Sequence, residues 1–162
     1  MKILLVQDEG IKIDLERSSN ILNDLCNTVR FESYKSPINV ELPSPYSIIR
    51  KTSYISLKKE TELLSQITSN IEKDYLFYVT SRRHRDNYFL HASGNVIICS
   101  FFGWEYYTNL PVENGLFYFI ADCLALQILE DFRHQKLTGC IYDFLGDKTG
   151  VDICAVPKTS VQ

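Results

Sequence analysis

The 162-residue chain contains only seven glycines, and they stand one at a time. Neither a Gly-x-Gly-x-x-Gly turn nor a Walker phosphate loop is spelled anywhere, so nucleotide cradling by backbone amides has no support in the sequence. A Gly-x-Ser-x-Gly elbow is missing too, and a serine hydrolase triad would have to draw its base from His84, His91 or His134. Positive charge is not in excess. Seventeen Lys and Arg face 20 Asp and Glu for a net charge of −3, which disfavours a long nucleic-acid footprint. The longest apolar stretch, Leu116 to Leu129, is interrupted by Asp122 and falls short of the ~20 residues that span a bilayer. The opening run Met1 to Val6 stops at Gln7-Asp8-Glu9, too short for a secretory signal. These absences predict a cytoplasmic protein with no membrane or nucleic-acid partner.

What is present is ordinary for a globular domain: 45% hydrophobic and 23% charged residues. A chain of this length buries roughly 70% of its unfolded surface, enough for a real core. The sequence therefore predicts a single domain over 1–162, with an irregular tail over 143–162. The five cysteines are an odd number without a secretion signal, which points to reduced thiols. Cys26, Cys99 and Cys123 lie in apolar segments and read as core residues; Cys140 and Cys154 stand outside such segments.

Residues 2–6 are a continuous apolar run of strand length, the pattern of a strand buried on both faces. Leu15, Ile21, Leu22, Leu25 and Val29 then recur at helical spacing behind Asp14, predicting a helix over about 13–28. Alternation around Val29 and Phe31 suits a second strand, and Pro37, Pro43 and Pro45 open an extended connection. Leu57, Leu64, Ile67 and Ile71 share one helical face, with Lys58, Lys59, Glu60 and Glu62 as the charges between, over about 56–72. Tyr75 to Val79 reads as a buried strand, 80–86 as a polar turn, and Asn87 to His91 as an aromatic edge strand paired across Gly94-Asn95 with Val96 to Phe101. Pro111 opens the longest and most apolar helix, over about 112–133. The order predicts an α+β or α/β fold with a mixed sheet of about four to five strands.

Several motifs invite a chemical reading. Acidic residues after the first strand superficially resemble a receiver domain, but the third strand ends Val79-Thr80-Ser81, without the aspartate such domains need. Arg82-Arg83-His84-Arg85 is a dense basic cluster just past a strand end, a candidate site for an anion or an acidic partner, set against the plainer reading of a solvated loop. His134, Cys140 and Cys154 are residue types that zinc accepts, but three ligands do not close a structural site.

In their order along the chain, these pieces resemble the archaemetzincin-like zincins. Met1 to Val6 with its helix is similar to the first strand and helix of that family. Arg50-Lys51-Thr52-Ser53-Tyr54 is similar to its Arg-x-x-x-Tyr step, and Tyr78 to Ser81, Asn87 to Phe89, Gly94-Asn95 and Ile97 to Ser100 follow the order of its next strands. The resemblance implies a zincin-like fold and a helix bearing His-Glu-x-x-His-x-x-Gly-x-x-His-Cys. With His134 matched to the last His and Cys140 to a later Cys, the remaining positions carry Leu124, Ala125, Ile128 and Asp131. Leucine and isoleucine cannot ligate zinc and alanine cannot take a proton, so peptidase chemistry is not expected. The structural site of four cysteines that the family carries is depleted as well, with Gln135 and Pro157 at two of its positions. No catalytic residue and no cofactor is therefore assigned; His134, Cys140 and Cys154 are vestigial candidates for residual zinc.

The leading expectation is a catalytically inactive zincin-like protein that binds a protein or peptide through the former substrate cleft. Candidate cleft residues are Asn87, Tyr88, His91, Trp104, Glu105, Tyr106 and Glu113: an edge strand able to pair with an extended peptide, aromatic anchors typical of interface hot spots, and nearby ionisable groups. The anchors have core and rim packing as their plainer explanation. Two alternatives stand beside it: an enzyme with relocated acid/base residues, drawn from His84, His91, Glu105 and Glu113, or a subunit of a larger complex docking through Tyr106-Tyr107 and the Leu116/Phe119 face.

Overall fold

The computed structural model describes residues 1–38, 40, 55–86 and 88–128, the last three of these by backbone only. The described chain belongs to two compact units that meet in sequence between Phe102 and Gly103.

Among the described residues, the first unit is built on a five-stranded sheet: β1 (Lys2–Gln7), β2 (Arg30–Ser33), β3 (Tyr75–Thr80), β4 (Leu90–Ser93) and β5 (Val96–Ser100), in spatial order β2-β1-β3-β5-β4. β2, β1, β3 and β5 run parallel, and β4 is antiparallel to β5 at the edge. The continuous apolar runs of β1, β3 and β5 follow from this, because a parallel strand under crossover helices is buried on both faces. On one face Leu4, Val6, Leu76, Tyr78, Val96 and Ile98 form a core with Leu57 and Leu64 of α2 (Leu57–Ile67). Alternation sends Ile3, Leu5, Phe77, Val79, Ile97 and Cys99 to the other face. α1 (Leu15–Leu25) packs along β1 and β2, and none of its residues joins the α2 cluster.

Both helices are shorter than their apolar periodicity suggests, and side-chain hydrogen bonds explain why. Asp14 caps α1 by accepting from the Arg17 amide at 2.9 Å. At its other end the Asn23 side chain turns away from the helix to bracket Phe31, donating to its carbonyl at 2.9 Å and accepting from its amide at 2.8 Å. That exchange fixes the start of β2, so Val29 joins the core outside the helix. α2 starts at the Ser56 cap, which accepts from Lys59. It ends where the Thr68 hydroxyl bonds back to the Leu64 carbonyl at 2.7 Å and the Lys73 ammonium reaches the Thr68 carbonyl, so Ile71 packs against the core from beyond the helix.

The edge strand also begins later than the aromatic run suggests, at Leu90 rather than Asn87. Its register pairs Leu90 with Cys99 and Ser93 with Val96 around a two-residue turn, in which Gly94 takes a left-handed φ of 59° that favours glycine.

The second unit opens at Gly103 with a single turn, α3 (Trp104–Tyr107), whose Trp104 indole donates to the Leu110 carbonyl at 2.7 Å. α4 (Val112–Ile128) follows Pro111. Its buried residues Leu116, Phe119, Ile120 and Cys123 recur at helical spacing. The predicted continuation of this helix to 133, the tail over 143–162, the Arg50 to Tyr54 step, and Asn87 lie outside the described residues.

Candidate functional site at the sheet edge

Among the described residues, β4 is the edge of the sheet on the β5 side. The Ser100 amide donates to the Phe89 carbonyl at 2.7 Å, so these two residues occupy a hydrogen-bonded position of the antiparallel ladder. Such positions alternate, which places His91 opposite Ile98 and Ser93 opposite Val96 in the same state. Leu90 and Ala92 therefore turn their N–H and C=O groups away from β5, outward along the edge. Directly opposed residues share a sheet face, so His91 lies with Ile98 on the side that α2 covers. Its Nε2 is buried and has no partner among the described residues. His91 thus belongs to the covered face rather than to the rim of the edge.

The loop between β3 and β4 is not one solvated basic surface. Arg82 and His84 turn inward and Arg83 and Arg85 outward. Arg82 Nη1 lies 2.8 Å from one oxygen of Glu60, and His84 Nε2 bonds the other; Glu60 and His84 have no exposed side-chain surface. A buried carboxylate is tolerable only with such partners. The backbone reinforces the arrangement: the Arg85 amide donates to Ile55 at 2.9 Å, Asp86 accepts from the Leu57 amide at 2.8 Å, and Ser100 Oγ donates to the Arg82 carbonyl at 3.1 Å. Arg83 instead holds its guanidinium over the Phe102 ring, 5.5 Å from the centroid. The solvated-loop reading fails for Arg82 and His84 because both satisfy Glu60.

Next to this cluster, at the carboxyl ends of β1 and β3, Asp8 is buried. Its Oδ1 accepts from the Gly10 and Ile11 amides at 2.9 and 3.0 Å, and its Oδ2 from the Thr80 hydroxyl. Tyr78 donates its hydroxyl to the Ile38 carbonyl at 2.9 Å; burial, with the Glu60 and Asp8 carboxylates, pushes its phenol well above the ordinary tyrosine range. Sequence reasoning missed Glu60 by treating it as one of the charges between apolar positions. Its spacing from Leu57 and Leu64 was the available signal, since 57, 60, 61 and 64 are the buried positions of α2.

Of the other cleft candidates, Tyr88 is half exposed just before β4. Trp104, Glu105, Tyr106 and Glu113 lie in the second unit, with Glu105 and Tyr106 exposed and Trp104 and Glu113 partly covered. Cys99 and Cys123 are buried thiols. Cys26 departs from the core reading: it is the half-exposed C-cap of α1, its Sγ 3.6 Å from Thr28 Oγ1. No helix of the described residues is long and apolar enough to cross a membrane.

No protein-family model matches the chain, and no curated protein sequence matches it significantly. Among solved structures, the chain is similar to the archaemetzincin of Methanopyrus kandleri: the TM-score is 0.56 at 19% identity, over 96% of this chain and 87% of that one. The fold is zincin-like. The mostly parallel five-stranded sheet with its antiparallel edge and flanking helices agrees with that architecture.

Zinc, which a zincin-like fold implies, can be tested against the side chains present. Along its described length α4 carries no histidine, and its ligand types are Glu113, Asp122 and Cys123. Asp122 and Cys123 are neighbours in sequence and do not share a helix face. Among the described residues no group of three His, Cys, Asp or Glu side chains lies close enough together to hold a metal ion. These residues do not fit a catalytic zinc. His134, Cys140 and Cys154 lie outside the described residues.

Proposed function

We propose that this zincin-like protein is a binding module that works without metallopeptidase chemistry and receives an extended segment of a protein partner on β4. The observation that carries the reading is the outward direction of the Leu90 and Ala92 backbone groups on an edge strand, which supplies main-chain donors and acceptors for strand addition. Support for inactivity comes from the residues at the matched motif positions, Leu124, Ala125 and Ile128, which can neither ligate zinc nor accept a proton. Tyr88 adds aromatic surface beside the start of the strand; in the second unit Tyr106 is exposed and Trp104 partly covered. The setting proposed is the cytoplasm, with a protein or peptide as partner and no cofactor.

The test is an Ala92→Pro variant. Proline at an outward edge position removes one free N–H without breaking the ladder to β5, so the variant should fold and lose peptide binding. Unchanged binding of the natural partner by folded Ala92→Pro protein would reject the edge assignment. Elemental analysis of untagged protein checks the other half of the reading: one tightly held zinc per chain, together with cleavage of a peptide substrate, would overturn it.

A second reading, an enzyme with relocated acid/base chemistry, is favoured by one observation. Glu60 holds His84 through Nε2 and leaves Nδ1 buried with no partner among the described residues, the disposition of an oriented imidazole. It requires that a folded His84→Gln variant lose a definable activity.

A further inference from the structure

We propose that Asn23 is a plug that closes the β2 edge of the sheet, and that the edge beneath it is a latent acceptor for β4 of a second copy of the chain. The inference rests on the reading of β4 as an open edge and adds the reason why strand addition is confined to it. Among the described residues β2 is the other edge, paired with β1 alone. The Arg30 amide donates to Met1 at 2.9 Å and the Tyr34 amide to Leu5 at 2.8 Å, so these residues face β1. A parallel ladder turns alternate residues to its neighbour, which leaves Phe31 and Ser33 facing away from it.

Asn23 takes both outward groups of Phe31: its amide nitrogen donates to the carbonyl at 2.9 Å, and its oxygen accepts from the N–H at 2.8 Å. A carboxamide carries the same donor and acceptor as a peptide unit. The Asn23 side chain therefore makes the pair of bonds that a residue of an added strand would make, and an incoming chain has to displace it. Exposed edges left without such cover pair with other chains. An open cleft bordered by Asn20, Asn23, Thr28, Arg30 and Phe31 lies at the same place, so a chain has access to this edge once the carboxamide is gone.

The occupant that suits the uncovered edge is β4. Its outward residues Leu90 and Ala92 are spaced two apart, as Phe31 and Ser33 are, so the two rows of donors and acceptors share one repeat. Because β2 and β4 are opposite edges of one sheet, joining them is a head-to-tail contact that leaves a free edge at each end and continues to grow. Asn23 holds the natural chain out of that series while β4 stays available to a peptide.

Sedimentation velocity over a range of concentrations and amide hydrogen exchange test the proposal. The natural protein should sediment as a monomer, and folded Asn23→Ala should form species that grow beyond a dimer with concentration. Adding Ala92→Pro to Asn23→Ala should return the monomer, which loss of a merely structural tie between α1 and β2 would not do. In the natural protein the Phe31 amide should exchange about a hundredfold more slowly than the Ala92 amide, as a bonded edge group does beside an open one; this measurement decides the matter where Asn23→Ala does not fold. A natural chain that already assembles, a folded Asn23→Ala that stays monomeric, or a Phe31 amide that exchanges rapidly overturns the plug and leaves the β4 reading standing. Assemblies of Asn23→Ala that survive Ala92→Pro, or that stop at a dimer, overturn the pairing of β2 with β4. An Ala92 amide as protected as that of Phe31 overturns the open β4 edge and the inference with it.

Discussion

Glu60 of α2 and His84 of the β3–β4 loop meet inside the protein, 24 residues apart in sequence, carboxylate to Nε2, with neither side chain exposed. Arg82 completes the contact from the same loop. The trio ties the first turn of α2 to the loop that leads into the edge strand. Replacing Glu60 with alanine strands a guanidinium and an imidazole without their acceptor. We expect a loss of about 3–5 kcal/mol, read as a lower denaturation midpoint at unchanged m-value; a loss under about 1 kcal/mol would mean that the trio contributes little.

Tyr78 makes the stability of the chain fall at high pH. Its phenol is held protonated in the folded protein by burial and by the carboxylates of Glu60 and Asp8. In the unfolded chain it ionises near the ordinary value of about 10. A raised folded value contributes stability below the unfolded pKa and loses it as pH climbs, so stability should fall as pH passes about 10. Tyr78→Phe should flatten that alkaline decline relative to the natural protein. It should also cost about 1 kcal/mol at neutral pH through loss of the bond to Ile38. Denaturant titrations of both proteins across the alkaline range check each half.

Among the described cysteines, Cys26 should be the reactive one. Its thiol pKa is lowered, chiefly by the Thr28 hydroxyl and then by the Thr28 and Val29 amides, whereas Cys99 and Cys123 are buried. Peptide-resolved alkylation of native protein should label Cys26 well before the other two. Thr28→Val should slow that labelling; equal rates before and after the substitution would remove the hydroxyl from the account.

Gly10 is needed for space rather than for its backbone angle. A Cβ there would stand 2.7 Å from Ser81 Oγ and 3.3 Å from Asp8 Oδ1, inside the turn that Asp8 holds. Gly10→Ala should destabilise by about 1–3 kcal/mol. Ser81→Ala in the same chain should recover part of that loss, and a double-mutant cycle by chemical denaturation measures the coupling.

The sheet was largely legible from the sequence because parallel strands under helices leave uninterrupted apolar runs, as Ile3 to Val6 and Leu76 to Val79 do. The hairpin was legible through Gly94-Asn95. Element ends were less so, since Asn23 and Thr68 stop their helices by side-chain hydrogen bonds that hydrophobic spacing does not register. The basic loop was misread for a related reason. Composition shows four adjacent Arg and His residues, but alternation along extended backbone decides which of them face Glu60, and that partner comes from another element. Asp8 was visible only as the polar stop after a strand. Its turn depends on Thr80, which is 72 residues away.

The same distance governs how the chain can fold. β1 takes a central place with β2 on one side and β3 on the other, so its second neighbour is synthesised only after more than seventy further residues, the separation of the Lys2 amide and the Asp74 carboxylate. Parallel pairing of that range carries a large loop-closure cost and slows folding. An apolar strand such as Ile3 to Val6 spends that interval without both partners, exposed to the self-association that chaperones prevent. A growing chain halted on the ribosome before β3 should therefore be captured by a chaperone, and one extended past β5 should be released.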